Sequence, residues 1–171
     1  MLVAAAIAAG WDPQDVVVAG RTDEKLRVLA DEHGVATTTS LKEAIDGAGI
    51  VVLSGKPQDA SAVMDEICPV YPDGALFVTV AAALPASFYE RRLPEGTPVV
   101  RTMPNTPSVL GKGVTAIAPG TSAGEDALAT VPAGPDDRVV LLSHMPLVPG
   151  LTLEEQDRFL EVLAPHPGVV W

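Results

Sequence analysis

The chain has 171 residues, 47% of them apolar and 19% charged, the mixture of a globular domain with a buried core and not of a disordered segment. Twenty-two acidic against eleven basic residues give a formal net charge of −11, and the basic residues are scattered, which argues against nucleic acid and anionic membranes as partners. The single cysteine, Cys68, excludes an internal disulfide and reads as a small buried hydrophobe beside Met64 and Ile67, while His33, His144 and His166 lack ligand spacing and read as surface or loop residues, so no metal site is expected.

Residues 1–10 are apolar and alanine-rich, with no Lys or Arg ahead of the run and too little length to span a bilayer. They are expected to form a helix of the fold ending at Gly10, in a cytoplasmic protein. Trp11-Asp12-Pro13 is a turn. The run 16–19 (Val-Val-Val-Ala) is of the kind buried on both faces of a parallel sheet. A helix is predicted over 23–32, with Leu26, Leu29 and Ala30 on one face, Thr22 or Asp23 as N-cap and Gly34 beyond its end. A short strand at 35–37 follows. Ser40 and Glu43 have capping-box spacing and open a helix to about residue 46. Then come a strand at 50–53, a helix at 58–67, a strand at 75–80, a helix at 85–92 and a strand at 98–101. This alternation is the signature of a doubly wound parallel α/β sheet, with ligands outside the carboxyl ends of its strands. Beyond a strand at 114–118, residues 120–150 are rich in Gly, Pro, Ala and Asp and read as an insertion or irregular segment. A capping box at Thr152–Glu155 opens a helix with Leu153, Phe159, Leu160 and Leu163 on its apolar side, and 168–171 reads as a last strand.

The stretch with most chemical content is Arg101-Thr102-Met103-Pro104-Asn105-Thr106-Pro107, where a β-branched run stops at a loop stiffened by two prolines and carrying the only asparagine of the chain. Asn105 and Thr106 are side chains suited to orienting a ring amide or a small polar substrate, although Pro-Asn-Thr-Pro is also an ordinary turn. Arg101 suits either that site or a structural ion pair. No Gly-x-Gly-x-x-Gly stands between a first strand and helix. The letters recur at 111–116 with Ala last, but ahead of a strand, and 49–57 fails as a phosphate loop in spacing and at Pro57.

The 101–107 run resembles the Arg-Val-Met-Pro-Asn-Thr-Pro signature of the pyrroline-5-carboxylate reductase family, with Thr102 in the Val position. Leu53-Ser54-Gly55-Lys56-Pro57-Gln58 is similar to that family's Ala-Val-Lys-Pro-Gln, and Val80-Ala81-Ala82-Ala83 to its Ser-Ile-Ala-Ala-Gly. The resemblance covers about residues 1–119 and resumes at 153–171. It implies a Rossmann-like fold and NADPH-dependent reduction of 1-pyrroline-5-carboxylate, a small imine, to proline. It also implies a single, incomplete dinucleotide-binding domain over 1–171. The family's first strand and Gly-x-Gly would precede Met1, and its helical domain, through which it oligomerises, would follow Trp171. In the sheet order 3-2-1-4-5-6 that first strand is central, so the strands at 16–19 and 50–53 should each lack a neighbour or pair directly.

By the resemblance, cofactor contacts are expected from Arg21, Thr22, Ser54, Gly55, Lys56, Pro57, Val80, Ala81, Ala82 and Asn105, with Asn105 and Thr106 near the substrate. Arg21 follows a strand where a basic group accepts a 2′-phosphate, which favours NADP(H) over NAD(H); a solvated Arg in a helix-leading turn is the alternative. No catalytic acid or base stands out. The competing functions are a non-catalytic nucleotide-binding remnant and another NADP-dependent dehydrogenase of the same fold.

Overall fold

The computed structural model describes residues 2–8, 10–104, 114–130 and 138–139. Its elements run α1 (Leu2–Ala8), β1 (Val17–Ala19), α2 (Asp23–His33), β2 (Ala36–Thr38), α3 (Leu41–Ile45), β3 (Ile50–Leu53), α4 (Ala60–Ile67), β4 (Leu76–Thr79), α5 (Ala86–Glu90), β5 (Val99–Pro104), β6 (Val114–Pro119), α6 (Glu125–Thr130) and β7 (Arg138–Val139). The predicted 153–163 helix and 168–171 strand lie outside the described residues.

Strand and helix alternate through β5, and the pairing is mainly parallel. β1 pairs with β2 in a two-stranded sheet, and a separate five-stranded sheet has the order β3-β4-β5-β6-β7. β3, β4 and β5 are parallel, with Ile50 opposite Leu76 and Phe77 opposite Val99. The α/β class read from the sequence is therefore observed, with one departure: β5 and β6 are antiparallel, Val100 facing Pro119 and Pro104 facing Thr115. This pairing extends β5 through Met103 and Pro104, three residues past the predicted strand end. Pro104 is tolerated as the last residue of a strand, where few ladder bonds need its missing N–H.

Among the described residues β1 and β3 do not pair with each other, and each has a neighbour on one side only. The reading of 16–19 as buried on both faces is corrected by the exposure of β1, which has no fully buried position. Val17 is 46% exposed, and Val52 of β3 is 47% exposed. The strand buried at all four positions is instead β4. One of its faces carries Phe77, packed with Met64, Tyr89 and Val99, and the other carries Leu76 and Val78 against Val100 and Ile117. Phe77 is ringed by aromatics, with centroids 6.3 Å from Tyr71 and 5.0 Å from Tyr89, and Phe88 meets Tyr89 edge-on at 5.1 Å. Such tilted geometries suit the quadrupoles of the rings.

Several boundaries move for local reasons. α2 runs one residue further than predicted, to His33, and stops where Gly34 adopts the left-handed conformation at φ 71. His33 is therefore a half-buried helical residue and not a loop histidine. The predicted 58–67 helix begins as a single 3-10 turn, Pro57–Asp59, before α4. At α3 the Ser40 hydroxyl accepts from Glu43 N–H at 3.3 Å, but Glu43 does not return the bond. Its carboxylate takes the Thr38 hydroxyl at 2.8 Å, and Thr38 Oγ1 accepts from Ser40 N–H at 3.0 Å. The capping box is closed through a third residue. Within 120–150 the structure places α6 and β7, and Glu90 clasps the loop before α6 by accepting from Thr121 N–H and its hydroxyl.

Candidate functional site

In a doubly wound sheet the loops at the carboxyl ends of parallel strands are where ligands are held. Here the loops after β1 and β3 are joined by one contact, Arg21 Nη2 to Asp59 Oδ2 at 3.2 Å. The contact brings together residues 38 apart in sequence. Arg21 leaves β1 directly after Gly20, whose N–H is fixed to Thr38 carbonyl at 3.2 Å. The Arg21 side chain is 85% exposed, so apart from its contact with Asp59 the guanidinium faces solvent. Thr22, next along, is the exposed N-cap of α2 and makes no side-chain cap bond.

After β3, Ser54, Gly55 and Lys56 are exposed and Pro57 is half-buried. Lys56 is extended (φ −70, ψ 146), as the residue before a proline must be, and its carbonyl accepts Asp59 N–H at 3.0 Å. The turn thus presents Lys56 and Asp59 together. Asp59 was not singled out by the sequence; the only signal for it was its place directly after the Lys-Pro-Gln run.

The end of β4 is set by Thr79, which is fully buried. Its hydroxyl donates to the Leu53 carbonyl at 3.3 Å, lies 3.4 Å from the Tyr89 hydroxyl and accepts Ala81 N–H at 3.1 Å. Thr102 of β5 donates to the Thr79 carbonyl at 3.4 Å. One threonine therefore aligns the carboxyl ends of β3, β4 and β5. Val80 N–H donates to the Leu53 carbonyl at 3.1 Å. Ala81 turns its methyl into the core, at 3% exposure, whereas Ala82 and Ala83 face out. Ala82 is accordingly the alanine over which a ligand could approach the backbone. Ala83 has φ 68, and Leu84 N–H closes a tight turn on the Ala82 carbonyl at 2.9 Å.

Arg101 is half-buried within β5, opposite Ala118. Asn105 and Thr106 lie outside the described residues. Cys68 is half-buried against the core, and desolvation raises its thiol pKa, with the Asp65 charge adding to this and Arg92 opposing it. A thiol held protonated is a poor nucleophile. A cavity of about 400 Å³ lined by Gly49, Ile50, Leu76, Pro98 and Ala127 opens at the amino ends of the strands, the opposite end of the sheet from these loops.

Parallel-dominated sheets, helices between successive strands and loops gathered at carboxyl ends define an α/β protein of the doubly wound, Rossmann-like type. Residues 1–83 match the family described as "NADP oxidoreductase coenzyme F420-dependent". The chain is 40% identical over 124 residues to the pyrroline-5-carboxylate reductase of Mycobacterium leprae, an alignment covering 70% of this chain and 42% of that protein. To that of Corynebacterium melassecola it is 34% identical over 122 residues, covering 70% and 45%. The solved pyrroline-5-carboxylate reductase of Coxiella burnetii superposes with a TM-score of 0.70 at 29% identity, over 75% of this chain and 48% of that one. A putative NADP oxidoreductase from Bacteroides fragilis, TM-score 0.66 at 23% identity over 95% and 59%, shares the fold. Within the doubly wound class, the chain is similar to the N-terminal dinucleotide-binding domain of the pyrroline-5-carboxylate reductases. It spans less than half the length of the curated relatives it matches.

Proposed function

We propose that the protein is the nucleotide-binding part of an NADPH-dependent reductase that converts 1-pyrroline-5-carboxylate to proline. The observation that supports this most directly is 34–40% identity over 70% of the chain to proteins named pyrroline-5-carboxylate reductase. When bound, the nicotinamide supplies the hydride, and the chain's own residues bind and orient. The residues present fit the adenosine end of such a cofactor. Arg21 offers a solvent-facing guanidinium at a strand end, Thr22 a hydroxyl not used in capping, Lys56 a second positive charge, and Ala82 a small side chain. The Plasmodium falciparum pyrroline carboxylate reductase, of the same fold at TM-score 0.63, was solved with NADP bound. Ser54, Gly55, Pro57 and Val80 complete the cofactor side, and Asn105 and Thr106 would hold the imine ring and the nicotinamide amide.

The test is a thermal melt of the chain with NADPH and with NADH, followed by an assay of imine reduction. A ligand at a hundred times its dissociation constant adds ~2.7 kcal/mol to the folded state, so the transition should rise clearly with NADPH. Arg21→Ala should reduce the NADPH shift far more than the NADH shift; equal losses would remove the 2′-phosphate role. A cooperative melt that neither nucleotide moves would overturn the reading in favour of a non-catalytic remnant.

A further inference from the structure

Two helix N-caps flank the Arg21–Asp59 contact, and neither side chain caps its own helix. Thr22 before α2 and Asp59 before α4 both make no cap bond, although elsewhere in the chain cap side chains do. Asp12 accepts Gln14 N–H at 2.9 Å and Ser40 accepts Glu43 N–H at 3.3 Å. An aspartate at an N-cap ordinarily turns its carboxylate onto the amides of its own first turn. Asp59 sits at φ −88, ψ −13, outside the extended conformation that permits this, and its carboxylate reaches Arg21 at 3.2 Å instead. Folding gains little from that contact, because the Arg21 side chain is 85% exposed and an exposed ion pair is screened by water.

The pair has opposite consequences for the two kinds of adenosine ligand. A guanidinium attracts a ribose 2′-phosphate and forms charge-assisted, bidentate bonds with it. A carboxylate repels the same phosphate but accepts a hydrogen bond from a free 2′-hydroxyl. Placed at 3.2 Å from each other, they set one preference against the other. We propose that Asp59 is a specificity-determining residue of this site, an internal carboxylate that competes with a ligand's 2′-phosphate for Arg21 and narrows the preference for phosphorylated over unphosphorylated nucleotide. The proposal rests on the nucleotide reading above.

The experiment is calorimetric titration of the chain with adenosine 2′,5′-bisphosphate and with 5′-AMP, which differ only in the 2′-phosphate. Asp59→Asn keeps the shape and removes the charge. It should tighten the bisphosphate roughly fivefold, the factor a water-screened charge pair at contact supplies, and should not tighten 5′-AMP. Asp59→Ser, which retains an oxygen at the cap, should give the same gain. The gain should shrink at high salt and disappear when Arg21→Ala is added, two responses that a merely structural role for Asp59 would not produce. Equal changes for both probes, no change for either, or a gain that survives Arg21→Ala would overturn the role of Asp59 while leaving the nucleotide site standing. Failure of wild type to bind either probe would overturn both.

Discussion

Ala83 is held at φ 68 with its methyl facing solvent, in the three-residue turn that follows β4. For an L-residue this conformation costs roughly 1–2 kcal/mol through the clash of Cβ with its own backbone, and glycine escapes it. Because the methyl is exposed, no packing is lost on removing it. Ala83→Gly should therefore stabilise the chain by about 1 kcal/mol, the strain released less the entropy that glycine adds to the unfolded state, read as a raised denaturant midpoint with unchanged slope. An unchanged or lowered midpoint would mean that the turn relaxes around alanine without cost. The run Val80-Ala81-Ala82-Ala83 stood out in the sequence as small residues at a strand end. Nothing in the letters said that Ala81 points inward while Ala82 and Ala83 point out, because that depends on where Thr79 anchors the Ala81 N–H.

Elements in this protein were legible wherever local chemistry decides them. Ile50–Leu53 begins and ends where its apolar run does, and Gly34 stops α2 as a left-handed cap. Boundaries set by distant partners were not. β5 gains Thr102, Met103 and Pro104 because β6 lies antiparallel beside them, and the exposure of Val17 depends on what covers its face of the sheet, which an apolar run does not reveal. The same holds for the polar groups that align the strand ends. Thr79 reads as one more β-branched residue of an apolar strand, yet its hydroxyl meets Leu53, Tyr89 and Ala81, residues from three different segments. Thr79→Val keeps shape and β-propensity but leaves the buried Ala81 N–H and Tyr89 hydroxyl short of a partner. An unmet buried donor costs about 1–3 kcal/mol, so the substitution should lower stability by that amount, while Thr79→Ser should retain most of it. Equal stability of the Val and Ser variants in denaturant melts would show the network to be dispensable. Asp59 was invisible for the same reason as Thr79: its partner lies in another loop.

For the molecule as a whole, stability is concentrated in the five-stranded sheet and the aromatic cluster beneath it, while the β1–β2 pair forms a separate sheet with both edges unpaired among the described residues. The cluster gives global stability a pH dependence of predictable sign. Tyr71 is 7% exposed, stacks against Phe77 and directs its hydroxyl to the Ala75 carbonyl at 3.4 Å. Burial raises its pKa well above the ordinary tyrosine value, with the neighbouring Cys68 thiolate adding to the shift. In the unfolded chain the phenol ionises near pH ~10, while the folded state keeps its proton. Above that point the unfolded state binds fewer protons than the native one, so stability falls as pH rises; below it Tyr71 contributes no slope. The loss approaches ~1.4 kcal/mol for each pH unit beyond 10 and continues until the folded phenol itself ionises. The wild-type curve sums every group that changes protonation over this range, so alone it does not isolate the effect. The difference between wild type and Tyr71→Phe does, since phenylalanine keeps the ring contact and carries no proton. Tyr71→Phe should lose a little stability at neutral pH with the bond to Ala75, and its deficit should shrink and then reverse as melts are taken from pH 9 to pH 11. Parallel curves across that range would show that the Tyr71 phenol titrates alike in the folded and unfolded chain, and that burial in this cluster does not hold its proton.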